Sequence, residues 1–344
     1  MPRALVTGAT GLLGRAIHSA FTDAGYETTG TGFSRASGSI LRLDIQDEAA
    51  VQKVFDEVKH LGLVSSTKLE PYRPTTLPLS PLSHEDLTKS RPHTAAADRS
   101  PDSCTRDPIA ARRLNVSATE TLARVASQSK KNTLVIYIST DYVFSGAQGE
   151  APYKTDAATG PTNIYGQTKL EGETAVLQYP GTVVLRVPVL YGATEPRENN
   201  AESAVNVLLD ALWKSQKEQV KMDDWAIRYP TNVIDVARVL VDITEKARSS
   251  PSVGQDTLPL PRVLHFSSED RMTKYEMVKV LADIMALPVD GVTPDRDGGK
   301  PGPDGTPRPF DCHLDTAALK ELGISVDTVN FVAWWRRWVG AFRH

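Results

Sequence analysis

Apolar residues recur along this chain with two alternating periods. A short continuous run, Ala4-Leu-Val6, enters a glycine turn, and Ala16, Ile17, Ala20 and Phe21 follow at helical spacing. Residues 26–33 form a second β-prone run and 41–45 end a third. Over 49–58, Val51, Val54, Phe55 and Val58 mark one inward helix face. Residues 133–140 (TLVIYIST) are nearly all apolar, as a strand buried on both faces requires, and 182–190 repeat the pattern. Between them, 107–129 has helical spacing and contains Asn115. Strand–helix alternation predicts an α/β fold, a Rossmann-like doubly wound parallel sheet over 1–192. A smaller mixed α/β subdomain is expected over 193–344, with helices at 201–213, 233–246 and 274–285. A Gly-, Pro- and Asp-rich loop is expected over 290–309, and an edge strand or lid facing the cleft over 222–231.

One stretch breaks the rhythm. Residues 61–92 carry prolines at 71, 74, 78, 81 and 92 and no clear period. A doubly wound sheet needs its fourth strand here, beside the first, and proline cannot donate to a central ladder. Leu61-Gly-Leu-Val64 is a poor candidate for that strand. The segment is expected to be an anomalous insertion, either disordered or the translation of a retained intron.

Composition narrows the class. The chain has 344 residues, a net charge of −3 and two cysteines. That balance leaves no electrostatic footprint for nucleic acid, and no apolar run nears the roughly 20 residues of a membrane span. Two cysteines exclude a disulfide scaffold. A first strand at about residue 3 leaves no room for a leader, so a cytoplasmic protein is expected. No metal is called for.

Candidate chemistry begins at the glycine turn. Gly8 permits the tight exit from the strand, Gly11 lets backbone approach a pyrophosphate, and Gly14 lets the helix lie close to the sheet. The helix start then offers free N–H groups to phosphates. Arg35, past the second strand, suits a 2′-phosphate and so NADP(H), or is a solvated arginine in a turn. Asp44 suits an adenine amino group, or caps the next helix. Residues 94–102 form a small-residue turn of the kind that passes beneath a nicotinamide ribose. Thr140 closes a central strand, where ligands of open α/β sheets bind. Tyr165 and Lys169, one helical turn apart, share a face, so an ammonium beside the phenol is expected to lower its pKa for proton transfer. A lone Tyr-x-x-x-Lys also describes an ordinary solvated helix face.

In order, TGATGLLG, ISTDYVFSG, YGQTKLEGE and RVPVLYG resemble the extended short-chain dehydrogenase/reductase superfamily, in the branch around dTDP-4-dehydrorhamnose reductase. The resemblance implies a catalytic trio of Thr140, Tyr165 and Lys169. It implies cofactor contacts at the turn from Gly8 to Gly14 (Thr10, Gly11, Leu12 and Leu13 among them) and at Phe33, Arg35, Asp44, Ala95, Arg99, Tyr165, Lys169 and Leu190. Longer stretches, SAVNVLLD, MDDWAIRYPTNVIDVA, RMTKYEMVKVLADIMALP, PRPFDCHLD and WWRRWVGAFRH, are similar to the regulatory β subunits of methionine adenosyltransferase. That family implies a reductase-like protein that binds NADP and docks on the catalytic subunit making S-adenosylmethionine through its carboxyl terminus. The chain departs from the family in the weak fourth strand and at Asp98.

The tail has its own reading. Phe331, Trp334, Trp335, Trp338 and Phe342 alternate with Arg336, Arg337 and Arg343, the residue types enriched at binding hot spots. The same composition suits a last helix closing the protein's own core. Two functions therefore stand: a regulatory subunit holding NADP, or an active NADPH-dependent reductase of a nucleotide sugar. The retained trio does not separate them, while the tail and lid stretches favour regulation. An NAD-dependent epimerase or dehydratase is disfavoured by Arg35.

Overall fold

The computed structural model describes residues 1–33, 35–36, 38–57, 62–65, 101–128, 133–249, 260–298 and 306–341. In chain order the first half runs β1 (Arg3–Thr7), α1 (Leu12–Asp23), β2 (Glu27–Gly32), β3 (Ile40–Arg42), α2 (Glu48–Glu57) and β4 (Gly62–Ser65). It continues with α3 (Pro101–Arg106), α4 (Pro108–Arg112), α5 (Thr119–Gln128), β5 (Val135–Thr140), α6 (Ile164–Val176), β6 (Thr182–Val187) and β7 (Leu190–Tyr191). The second half holds α7 (Leu208–Ser215), β8 (Val220–Asp223), β9 (Thr231–Asn232), α8 (Val233–Ser249) and β10 (Val263–His265). It ends with α9 (Lys274–Met285), β11 (Val292–Asp295), α10 (Ala317–Glu321) and α11 (Phe331–Val339).

Seven strands form one sheet in the order β10-β6-β5-β4-β1-β2-β3. Every pairing in it is parallel, with Leu5 opposite Leu63, Leu63 opposite Val135, and Thr140 opposite Val187. The order reverses between β1 and β4, so a crevice opens outside the carboxyl ends of those strands. The fourth strand doubted from the sequence is therefore present as Gly62–Ser65, flanked by β1 and β5. At four residues it is too short to carry a period of its own, and its neighbours on both sides define it. The remainder of the 61–92 stretch lies outside the described residues.

Alternation along the strands divides the core. Ala4, Val6, Ile136 and Leu185 face α1 and α8 in one cluster, while Leu5 and Val135 face α2 and α5 in another. Each such buried side chain contributes about 1.5–3 kcal/mol relative to exposure. The boundary expected at residue 192 is crossed twice, because β10 completes the sheet and α8 supplies Val236, Val239, Leu240 and Ile243 to the same cluster. A third cluster, built around Tyr191, Leu212, Leu281, Phe331 and Trp335, belongs to the second half.

Several expected elements change at their ends for local reasons. The strand over 182–190 divides after Val187 because Pro188 lacks an N–H, and β7 pairs with β9 instead. The helix expected from 201 starts at Leu208. Ahead of it the Ser203 hydroxyl accepts N–H groups of Val205 and Asn206, each at 3.0 Å, and so holds a turn. The 107–129 helix is interrupted by a π-helical stretch at Arg113–Ala118. The 290–309 loop contains β11, which pairs with β8. The 222–231 segment holds the end of β8 and the start of β9, separated by a turn in which Asp223 accepts from Trp225 and Ala226.

The tail resolves partly in favour of the core. Asn330 caps α11 through the Ala333 N–H at 2.9 Å. Phe331 and Trp335 are buried at 1% and 0% exposure, while Trp334 and Trp338 stack on each other half-buried and Arg337 is exposed. Phe342 and Arg343 lie outside the described residues.

Candidate functional site

The glycine turn forms as its spacing demands. Gly8 has φ +67°, and a Cβ on Gly14 would stand 2.0 Å from the Gly8 carbonyl oxygen, so no other residue lets α1 start this close to β1. Gly11 precedes α1 in extended conformation with no side-chain cap, and the first turn carries no acid. The N–H groups of that turn could hold an anion.

Thr140 ends β5 at 5% exposure. Its hydroxyl accepts the Tyr142 N–H at 3.2 Å and donates to the Asp141 carboxylate at 2.9 Å. Asn163 caps α6 through the Gly166 N–H at 3.0 Å, which places Tyr165 in the first turn. A Cβ on Gly166 would meet the Tyr142 carbonyl at 2.1 Å, so a glycine there brings α6 against the end of β5. Tyr165 and Tyr142 meet edge to face at 6.0 Å. One turn on, Lys169 donates to the Ile138 carbonyl at 2.7 Å and sits 4.0 Å above the Tyr137 ring.

The electrostatics differ from the expectation. Burial pushes the Tyr165 phenol well above its ordinary range, against a smaller opposing pull from the Thr140 hydroxyl. Burial also depresses Lys169 to about 7. The expected lowering of the phenol by its neighbouring ammonium is thus overridden, because the lysine is directed to a carbonyl and a ring and desolvation acts on both groups. Tyr165 is held protonated, as a donor. Asp141 is pushed up to about 6 by burial, partly offset by Thr140 and by Arg228.

These groups open on one cavity of about 500 Å³, a size suited to a nucleotide or similar ligand. Of the residues singled out from the sequence, it brings together Gly11, Leu12, Leu13, Gly14, Thr140, Tyr165, Lys169 and Leu190. Gly8 and Thr10 belong to the turn but do not line the cavity. Phe33, Arg35 and Asp44 sit past the ends of β2 and β3 and do not line the cavity. Asp44 accepts the Gln46 N–H at 2.9 Å, and the residue bonded to the first turn of α2 is Asp47, which accepts from Ala50 at 3.1 Å. Arg35 is paired with buried Glu202 at 2.6 Å. Ala95 and Arg99 lie outside the described residues.

Other lining residues had no site role assigned from the sequence, although Asn115 was named within its helix and Arg228 falls in the 222–231 stretch expected to face the cleft. Asn115, in the π-helical stretch, donates to Thr168 at 3.0 Å, and its buried Oδ1 has no partner among the described residues. The cavity is also lined by Arg228, Lys274 and Arg308, which outnumber Asp102 and Asp141, and Arg228 stands 5.6 Å over the ring of Tyr142, the neighbour of Tyr165. Arg308 pairs with Asp102 at 2.6 Å, and Arg228, 6% exposed, donates to the Ile227 carbonyl at 2.8 Å. Burial, with the Arg228 charge second, lowers Lys274. The sequence placed the segment of Arg228 at the cleft and quoted that of Arg308 among the family stretches, without singling out either residue. Three cations from three distant segments have no common spacing to detect.

Comparisons with known proteins extend this picture. The family model described as RmlD substrate binding domain matches residues 85–334, and that of the NAD dependent epimerase/dehydratase family matches residues 4–76. The chain is 38% identical over 328 residues to methionine adenosyltransferase 2 subunit beta of Xenopus tropicalis, covering 95% of this chain and 84% of that protein. It is 32% identical over 197 residues to dTDP-4-dehydrorhamnose reductase of Streptomyces griseus, covering 57% and 52%. The crystal structure of dTDP-4-dehydrorhamnose reductase from Bacillus anthracis in complex with NADP superposes with a TM-score of 0.71 at 20% identity, covering 98% of both chains, and so shares the fold.

Proposed function

Because the chain belongs to the methionine adenosyltransferase 2 beta subunit family, within the RmlD substrate binding domain family, we propose that it is an NADP-binding, reductase-like regulatory subunit. In this reading it docks on the catalytic subunit of methionine adenosyltransferase, supports S-adenosylmethionine formation and acts in the cytoplasm. The observation that carries the reading is the reach of the kinship. It extends over 95% of this chain in the beta subunits and 57% in the reductase.

The residues fit the nucleotide. The uncapped start of α1, closed down on Gly8 by Gly14, suits the pyrophosphate. Lys169 suits the nicotinamide ribose hydroxyls, and Arg35 a 2′-phosphate, which selects NADP over NAD. NADP(H), when bound, supplies or accepts a hydride. No helix among the described residues is long and apolar enough to cross a membrane.

The half-buried stripe of α11 suits the partner-binding role. Cutting the chain before Phe331 would remove two core residues and confound the test, so the cleaner variant changes Trp338 and Arg337 to alanine. In size-exclusion chromatography with the catalytic subunit, the wild type is expected to co-elute and W338A/R337A to elute apart. Co-elution of both removes the tail from the reading.

A second reading rests on the cavity itself. Thr140, Tyr165 and Lys169 line it together with Arg228, Lys274 and Arg308, three cations suited to the diphosphate of a nucleotide sugar. For reduction of a keto group, Tyr165, held protonated by burial, donates to the carbonyl oxygen while the Thr140 hydroxyl orients that oxygen. Tyr165→Phe is expected to leave partner co-elution intact and to abolish any NADPH oxidation with a dTDP-4-keto sugar. Rapid turnover by the wild type would make catalysis the primary function.

A further inference from the structure

Resting on the NADP-binding reading, we propose that Glu202 is a specificity-determining residue that occupies the 2′-phosphate site from within. Its carboxylate competes with the cofactor for Arg35 and so sets the choice between NADP and NAD. Two arginines on the cofactor side of the fold converge on this one acid. Arg35, just past β2, meets one carboxylate oxygen at 2.6 Å, and Arg15, in the second half-turn of α1, meets the other at 2.6 Å. Arg15 is itself fixed by the Thr10 carbonyl at 2.8 Å and the Ala193 carbonyl at 3.2 Å. Glu202 lies far along the chain, in a short 3-10 turn at Asn200–Glu202, yet its side chain is only 4% exposed against 33% for Arg35. The residues beside it, Ala201 and Ser203, line the cavity together with Gly11 and Leu12.

The chemistry of the acid defines what it selects. A guanidinium fork matches carboxylate and phosphate alike, so a buried carboxylate seated on Arg35 presents to that arginine what a 2′-phosphate would. A phosphate bears more charge and more acceptor oxygens, and must compete for the arginine with Glu202, which holds its Nη1 at 2.6 Å and offsets its charge. NAD brings no second anion to compete with the carboxylate. The seated carboxylate accepts a 2′-hydroxyl, as the acid after the second strand does in NAD-selective dinucleotide folds. Glu202 thus restrains a preference that Arg35 alone would make strong.

The test uses the full chain and isothermal titration with adenosine 2′,5′-bisphosphate and adenosine 5′-monophosphate, which differ only in the 2′-phosphate. NADP and NAD are titrated alongside. Glu202→Gln is expected to tighten adenosine 2′,5′-bisphosphate and NADP about tenfold. The same change leaves the monophosphate unchanged or weaker, and adding R35L to E202Q erases the gain. Where Glu202→Gln does not fold, Glu202→Asp withdraws the carboxylate by one methylene and is expected to shift selectivity the same way. Equal or weaker binding of the bisphosphate by a folded Glu202 variant overturns the inference and leaves the NADP reading standing. A wild type that binds neither NADP nor the bisphosphate overturns both.

Discussion

Asp141 shows how the cavity trades stability for polarity. Its carboxylate is buried, receives the Thr140 hydroxyl at 2.9 Å, and has its pKa raised to about 6 by burial. A carboxylate with a raised folded-state pKa binds its proton more tightly in the native state. Its stabilising contribution is therefore present below about pH 4 and lost as pH rises through 6. Above pH 6 the ionised group costs on the order of 3 kcal/mol. Asp141→Asn, which keeps an acceptor for Thr140, is expected to raise the melting temperature at pH 8 by several degrees, with the gain gone at pH 4. A gain that does not change between those two pH values would place the cost elsewhere. Residues that carry such costs at one cavity are what a site for chemistry or ligand would hold. At this scale the sequence was informative where a motif fixes a backbone position, as for Thr140, Tyr165 and Lys169. It did not single out Arg228, Lys274 or Arg308, although 222–231 was expected to face the cleft, because only the tertiary fold brings their segments together. It misjudged the Tyr165 phenol for the same reason: spacing gives proximity to Lys169, and only packing gives desolvation.

Among the elements, α11 separates two roles on neighbouring stripes of one helix. Phe331 and Trp335 stand one turn apart and stack around Tyr191, whereas Trp334 and Trp338 form the adjacent, half-buried stripe beneath Arg197. The backbone leading into the helix is tied to α8 by the Val329 N–H, which donates to Asp235 at 2.9 Å. Trp335→Ala is expected to cost about 3–5 kcal/mol in urea unfolding, as removal of a fully buried aromatic does. Trp338→Ala should cost under about 1 kcal/mol and act on partner association instead. Equal losses from the two changes would mean the outer stripe is also core. Elements whose signals are local were legible to the residue. The helix expected over 274–285 is found at Lys274–Met285 because Thr273 and Glu276 form a reciprocal capping box at 3.1 and 2.8 Å. The strand β4 was legible only as the poor candidate Leu61–Val64, one residue out of step with Gly62–Ser65, since four residues beside a proline-rich stretch carry no pattern until β1 and β5 pair with them.

For the molecule as a whole, the question is whether the two halves expected from the sequence, meeting at residue 192, behave as units. The packing argues against it. The seventh strand of the sheet, β10, comes from the second half, and one cluster unites Ala4, Ile17 and Ile136 with Val236, Leu240 and Leu319. Removing either half would expose the apolar face of the other, a cost of many kilocalories per mole at about 25 cal/mol per Å². The cavity also draws on both halves, from Gly11 and Thr140 on one side to Arg228 and Lys274 on the other. The chain offers a clean probe of this coupling, because all five tryptophans, at 213, 225, 334, 335 and 338, lie in the second half. Tryptophan fluorescence therefore reports that half alone, while far-ultraviolet circular dichroism reports the whole. The two urea transitions are expected to coincide, as in a single cooperative unit. NADP at a hundred times its dissociation constant should move both by the same amount, about 2.7 kcal/mol. A fluorescence transition preceding the dichroism one, or a ligand shift in only one signal, would mean that the halves unfold separately and that residue 192 is a true boundary.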